Sequence, residues 1–169
     1  MLCNVHIGTP EDTHFYYDHL AKGGKLHRIN QPLIEYRYVN TGISNTVVKA
    51  KTLWDIRIHH FQTQILENPA KWSGKSFSIW GSGKFGKLFF RSLKREHQDR
   101  VSAMGDVDAK KIGSIYHERE SRITLNIVHF SELVKPIVIC VKAGTTGGNL
   151  ERNVASLGLE EGMDFFFFA

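Results

Sequence analysis

Cysteine is almost missing from this sequence: Cys3 and Cys140 are the two thiols among 169 residues. Two cysteines build no disulfide framework and offer no metal-ligand spacing, a usage that fits a reducing compartment and predicts a cytoplasmic protein. Long apolar runs are missing as well. No segment reaches the roughly 18 to 20 apolar residues that span a bilayer, and the opening MLCNVHIGTPED has neither the basic nor the apolar region of a secretory leader. No membrane partner is expected. Charge of one sign is not concentrated either. With 22 Lys and Arg against 17 Asp and Glu, the net charge of +5 favours an anionic partner without creating the field of a dedicated nucleic-acid binder. Repeats and low-complexity tracts are lacking too. What is present, 41% apolar and 11% aromatic residues, suffices for one good core or two small ones.

The first 40 residues carry a full set of helix signals. Thr9 is placed to cap, Pro10 to open the first turn, Glu11 and Asp12 to meet its positive end, and Gly23-Gly24 to stop it. EDTHFYYDHLAK is therefore a short helix. KLHRIN and PLIEYRY follow with the apolar–polar alternation of strands, Pro32 restricting the junction between them. Residues 46–66 place Val48, Leu53, Ile56, His60 or Phe61, and Ile65 at helical spacing, which predicts an amphipathic connecting helix. ENPAKWSGK, with Pro69 and Gly74 in a polar setting, reads as a linker and closes a connecting region over 46–75.

Residues 76–169 alternate strands and helices as a small Rossmann-like domain with a parallel sheet. Strands are expected near 76–80, 101–106, 126–128, 137–141 and 164–168, and helices near 84–95 and 148–157. The final DFFFFA, the most apolar stretch, reads as a buried strand.

FSIWGSGKFGKLFF sets Gly81, Gly83 and Gly86 in the G-x-G-x-x-G spacing between a strand and a helix. In a dinucleotide fold the first glycine permits the turn, the second admits a pyrophosphate and the third lets helix and strand pack closely. An acid about 20 residues further on would accept ribose hydroxyls, and Asp106 closes VSAMGD in that position, with Asp108 a second candidate. The same residues have a purely structural reading, in which the glycines serve chain geometry and the two acids cap a short helix ending at AKKIG. No Ser/Tyr/Lys set for hydride transfer accompanies them. A second cluster, KAGTTGGNLERN, offers Lys142, Thr145, Thr146 and the amides of Gly147 and Gly148 to an anion, or simply caps the next helix.

GTPEDTHFYYDHLAKGGKLHRINQPLIEYRY resembles the acceptor-side end of inverting glycosyltransferases of the GT-A type, family 2. In that family an E-D pair opens a helix, KGG stops it and a P-L-x-x-Y-R strand closes the catalytic sheet. TLWDIRIHHF, IWGSGKFGKLFFRSL, DVDAKKIG, VICVKAGTTGG and LGLEEGMDFFFF extend the likeness over nearly the whole chain. Together they are similar to one subgroup, the queuosine-tRNA galactosyltransferases. The resemblance implies an α/β protein made of the C-terminal remnant of a GT-A domain (1–45), a linking helix (46–75) and a Rossmann-like accessory domain (76–169). The donor-binding half, with its D-x-D motif and a divalent cation, Mn or Mg, would lie upstream. The D-V-D at 106–108 falls in the accessory domain and is not that motif.

Carried over by position, Asp12 would be the base that deprotonates the acceptor hydroxyl, and Glu11 would orient the acceptor. Arg37 would contact the donor diphosphate. Many relatives have a histidine where this chain has Val39, which cannot ligate a metal. The nine histidines show no metal spacing, and no metal site is expected within the chain. The implied partners are a UDP-sugar donor and a tRNA acceptor, the latter gripped by a basic stripe of Lys84, Lys87, Arg91, Lys94 and Arg95. Two other readings remain, an NAD-type nucleotide-binding Rossmann protein and a non-catalytic module for anions or RNA.

Overall fold

Three short apolar segments, FSIW, VSAMGD and IVI, end in or lead to turns and lie side by side at the centre of one sheet. The computed structural model describes residues 10–27, 29, 31–35 and 50–168. In chain order the elements are α1 (Glu11–Ala21), α2 (Ala50–Phe61), a π-helical turn (Gln62–Leu66), β1 (Phe77–Trp80), α3 (Lys84–Ser92), α4 (Arg95–Gln98), β2 (Val101–Asp106), β3 (Ile115–His117), β4 (Thr124–His129), a 3₁₀ turn (Phe130–Glu132), β5 (Ile137–Ile139), α5 (Asn149–Ser156) and β6 (Phe165–Phe167). The chain divides into two compact units between Gln64 and Ile65.

In the first unit α1 begins at Glu11, one residue after the expected start, with Pro10 in the cap position. The Pro10 carbonyl accepts from the His14 amide at 3.2 Å. Thr9 lies outside the described residues, as do Arg37, Val39, Cys3 and Val48. Of KLHRIN and PLIEYRY, the described residues carry no strand. Tyr17 stacks on His60 with ring centroids 3.8 Å apart, which joins α1 to α2. The amphipathic pattern expected over 46–66 is split: α2 widens into the π turn where the Thr63 hydroxyl turns back onto the carbonyls of His59 and His60, at 3.0 and 3.3 Å. A hydroxyl that occupies i−4 and i−3 acceptors competes with the helical ladder.

The second unit is a six-stranded sheet in the order β3-β4-β2-β1-β5-β6. Every pairing is parallel except β3 with β4. All residues of β1 and β5 are buried, as expected of strands covered on both faces. Ser78 is the polar exception, and its hydroxyl meets the Ser102 hydroxyl at 2.9 Å and donates to the Val134 carbonyl at 2.8 Å. Ile79 and Trp80 point to opposite faces because side chains alternate along a strand. Ile79 lies against Gly86 of α3, whereas Trp80 clusters with Leu150 and Val154 of α5. The helices following β1 and β5 therefore cover opposite faces. Within DFFFFA a strand forms as expected, β6 at Phe165–Phe167, but it is only partly buried: Phe165 and Phe168 are buried and Phe167 is 37% exposed.

Two expectations for residues 107–129 change. Residues 124–129 pair with an additional strand, β3, whose only buried residue is Tyr116. The short helix expected before Gly113 is instead a run of turns closed by the Asp108 carbonyl, which accepts from Lys111 and Ile112 at 2.9 and 3.2 Å.

The stretch 67–75, read as a linker, is packed into the second unit. Trp72 is 1% exposed, and its indole donates to the Met163 carbonyl at 3.1 Å. Arg100 holds the same stretch by donating to the carbonyls of Leu66 (3.0 Å), Lys75 (2.8 Å) and Trp72 (2.5 Å). A planar guanidinium with five donors suits this, and a lysine cannot reproduce it. Among the described residues no helix is long and apolar enough to cross a membrane.

Arg100→Met leaves three carbonyls without their charged donor, a loss of about 2 to 4 kcal/mol. Thermal unfolding should shift down by roughly 10 °C or more, and Arg100→Lys should recover only a minor part of it. A melting temperature unchanged in both variants would show that the stretch is held by packing alone.

Candidate functional site

Two groups of residues carry chemistry, one in each unit. In the first, Glu11 and Asp12 open α1 and are both exposed. The Asp12 carboxylate accepts from the Thr13 amide at 2.7 Å and more distantly from the Thr13 hydroxyl at 3.4 Å. A local bond to the next residue's amide fixes the rotamer and leaves lone pairs directed outward. Ring and acid groups of α1 and α2, among them His14, Asp18 and His59, line a separate hollow of about 400 Å³.

In the second unit the chain leaves β1 through Gly81, Ser82 and Gly83. Each glycine answers to a different constraint. Gly81 has φ +119°, which side chains rarely tolerate. At Gly86 a β-carbon would stand 1.7 Å from the Gly81 carbonyl oxygen. Gly83 has an ordinary φ of −81°, and a β-carbon there would meet nothing within 4 Å. It caps α3 without a side-chain hydrogen bond of its own.

Asp106, at the end of β2, faces this turn and is 8% exposed. One carboxylate oxygen, Oδ2, accepts from the Ser82 hydroxyl, the Ser82 amide at 3.3 Å and Lys111 Nζ at 3.0 Å. The other, Oδ1, accepts from the amides of Val107 (2.9 Å) and Asp108 (3.0 Å). Burial pushes the Asp106 pKa up, but the hydrogen bonds from Ser82, Asp108 and Lys111 outweigh it and hold the group at about 2. Asp108 instead accepts from the Lys110 amide at 3.0 Å, a local turn contact.

Gly83, Lys84 and Asp106 border a cavity of about 600 Å³ at the C-terminal edge of the sheet, shared with Lys142, Thr145 and Thr146 from the connection after β5. Gly147 and Gly148 do not line it. Both have positive φ, and Gly148 caps α5. The α5 amides are taken partly by the protein itself, since Thr146 Oγ1 accepts from Leu150 N at 3.0 Å. Glu151 likewise accepts from Gly144 N at 3.0 Å.

No protein-family model matches the chain, and no solved structure matches it.

The basic stripe does not form one face. α3 ends at Ser92, so Lys94 and Arg95 belong to the next turn and to α4. Lys94 pairs with Glu67 at 2.7 Å and Arg95 with Asp99 at 3.0 Å. Lys87 lies over the Tyr116 ring, 5.1 Å from its centre. Arg91 also acts on Tyr116, whose pKa burial and the Glu118 carboxylate push up to about 12. Lys84 borders the cavity.

Among the described residues, Glu67, Glu96 and His97 bring ligand-type atoms within 4.8 Å of one another. The buried His97 is already engaged at both ring nitrogens. Arg100 donates to Nδ1 at 3.2 Å, which places the ring proton on Nε2, 3.1 Å from Glu67. Hydrogen bonds from Lys94 and His97 hold the Glu67 pKa below its ordinary range. The trio cross-links the chain around Arg100, with both His97 ring nitrogens and one Glu67 oxygen engaged by protein groups. In the D-V-D at 106–108, Asp106 likewise has both oxygens engaged by protein groups.

Because the folded pKa of Asp106 lies near 2 against an ordinary 3.8, its contribution of about 2 kcal/mol is complete above pH ~4 and disappears as pH falls through ~2. Asp106→Asn should thus lower the urea midpoint at pH 7, and the gap to the parent protein should close toward pH 2. A gap independent of pH would assign the effect to packing.

Proposed function

We propose that this chain is the C-terminal segment of an inverting, UDP-sugar-dependent glycosyltransferase of GT-A family 2, which transfers galactose to queuosine in tRNA and needs an upstream half for activity. The observation that carries the reading is the E-D pair in the first turn of α1, exposed and oriented by little more than Thr13, within a stretch that resembles the family's acceptor-side motif. The same order of motifs then continues into the Rossmann-like unit. The positive net charge suits an RNA acceptor.

In this reading the Asp12 carboxylate takes the acceptor hydroxyl proton as that oxygen forms its bond to the anomeric carbon and the bond from that carbon to the UDP oxygen breaks. The leaving diphosphate departs with the bonding pair. General-base assistance of this kind contributes about 10² to 10⁴ in rate. Glu11, one residue earlier on the same turn, orients the acceptor. A divalent cation, held by the upstream half, would offset charge on the diphosphate.

Asp12→Asn in the complete enzyme should lower kcat by about 10² to 10⁴ while the donor KM stays nearly constant, measured with radiolabelled UDP-galactose and queuosine-containing tRNA. Full turnover in the variant would remove Asp12 from the chemistry. Transfer from UDP-N-acetylglucosamine in preference to UDP-galactose would replace the donor.

A further inference from the structure

We propose that the cavity at the C-terminal edge of the second unit's sheet binds a nucleoside diphosphate. This inference stands on the cavity alone and does not rest on the glycosyltransferase reading.

The topology places the cavity. β1 has β2 on one side and β5 on the other, and the helices that follow β1 and β5 cover opposite faces, so their connections diverge and leave a crevice between them. Such a reversal of strand order is where open α/β sheets bind ligands. The cavity of about 600 Å³ is within the range of small-molecule sites.

Its charge selects an anion. Lys84, Lys111 and Lys142 border it against a single carboxylate, Asp106, which Lys111 already pairs at 3.0 Å. Three cations converging from three different connections are not explained by a helix face. Its apolar wall selects something larger than an inorganic anion: Phe85 and Val107 line the cavity and are 48% and 57% exposed, a surface that a planar base would cover. Asp106, whose two oxygens already accept five hydrogen bonds from the protein, holds the Ser82 turn and Lys111 in place at the cavity's border.

Gly83 supplies the independent indication. Gly81 and Gly86 are required by backbone conformation and by packing. Gly83 is required by neither, since its φ and ψ of −81° and −162° suit any residue and its β-carbon position is empty. What the absent side chain provides is bare backbone on the cavity wall, which a diphosphate can approach closely beside the Lys84 and Lys142 ammonium groups.

Calorimetric titration of the whole chain with UDP, ADP and inorganic phosphate tests the assignment, alongside Gly83→Val, Lys142→Met and Asp12→Asn. At least one nucleotide should bind about tenfold or more tightly than phosphate, and Gly83→Val should weaken it by a similar factor, the size of one lost charge-assisted hydrogen bond. The Gly83→Val melting temperature should stay within a few degrees of the parent. Lys142→Met should weaken the nucleotide severalfold, and Asp12→Asn should leave it unchanged. Absence of nucleotide binding, equal affinity for phosphate, or undiminished binding to a folded Gly83→Val variant would overturn the proposal.

Discussion

The close approach of Gly86 to the Gly81 carbonyl is the constraint on which the C-terminal edge of the second unit's sheet depends. A β-carbon would stand 1.7 Å from that oxygen, so only glycine lets α3 start directly above the end of β1. Once α3 is seated there, Ser82 is carried under the turn and its hydroxyl reaches Asp106 on the neighbouring strand. Asp106 in turn collects the amides that begin the next connection and the Lys111 ammonium. One steric requirement thereby aligns two loops, and the space left between them and the β5 connection is the cavity.

The opposite edge of the sheet is organised by charge. Arg100 gathers the carbonyls of Leu66, Trp72 and Lys75, and it also donates to Nδ1 of His97, whose Nε2–H donates to the Glu67 carboxylate. Burial lowers the Arg100 pKa, with Glu96 and Glu67 opposing the effect. This network converts a polar, proline-containing stretch into part of the core, and it engages both ring nitrogens of His97 and the Oε1 oxygen of Glu67.

Much of this could be read from the residues, and the failures have identifiable physics. β1 and β5 announce themselves because strands covered on both faces are mainly apolar; β2, despite an exposed Ser102, coincides with the expected 101–106. β3 is hidden in SIYHERESR, since an edge strand with one buried side chain leaves almost no pattern. The stretch 67–75 misleads for the reverse reason, because its composition is that of a linker while one tryptophan anchors it. The G-x-G-x-x-G spacing identified the turn and Asp106, but the partner of Asp106 was not visible. Ser82 is an unremarked residue between two glycines, and a hydroxyl 24 positions away in sequence leaves no signal. Lys94 and Arg95 looked like a continuation of Lys84, Lys87 and Arg91 until the break at Leu93 separated them. The place of the E-D pair in the first turn of α1 was legible at once, because the positive end of a helix favours acids there.

β6 carries a consequence for how the second unit is made. It is the last strand of the sheet to be synthesised, and until residues 165–168 leave the ribosome the apolar β5 presents an open ladder of amides and carbonyls. An uncovered edge of that kind pairs with whatever extended chain it meets first. The nascent unit is thus most vulnerable to aggregation in the seconds before four consecutive phenylalanines close it, and a ribosome that pauses there holds the protein at its stickiest stage.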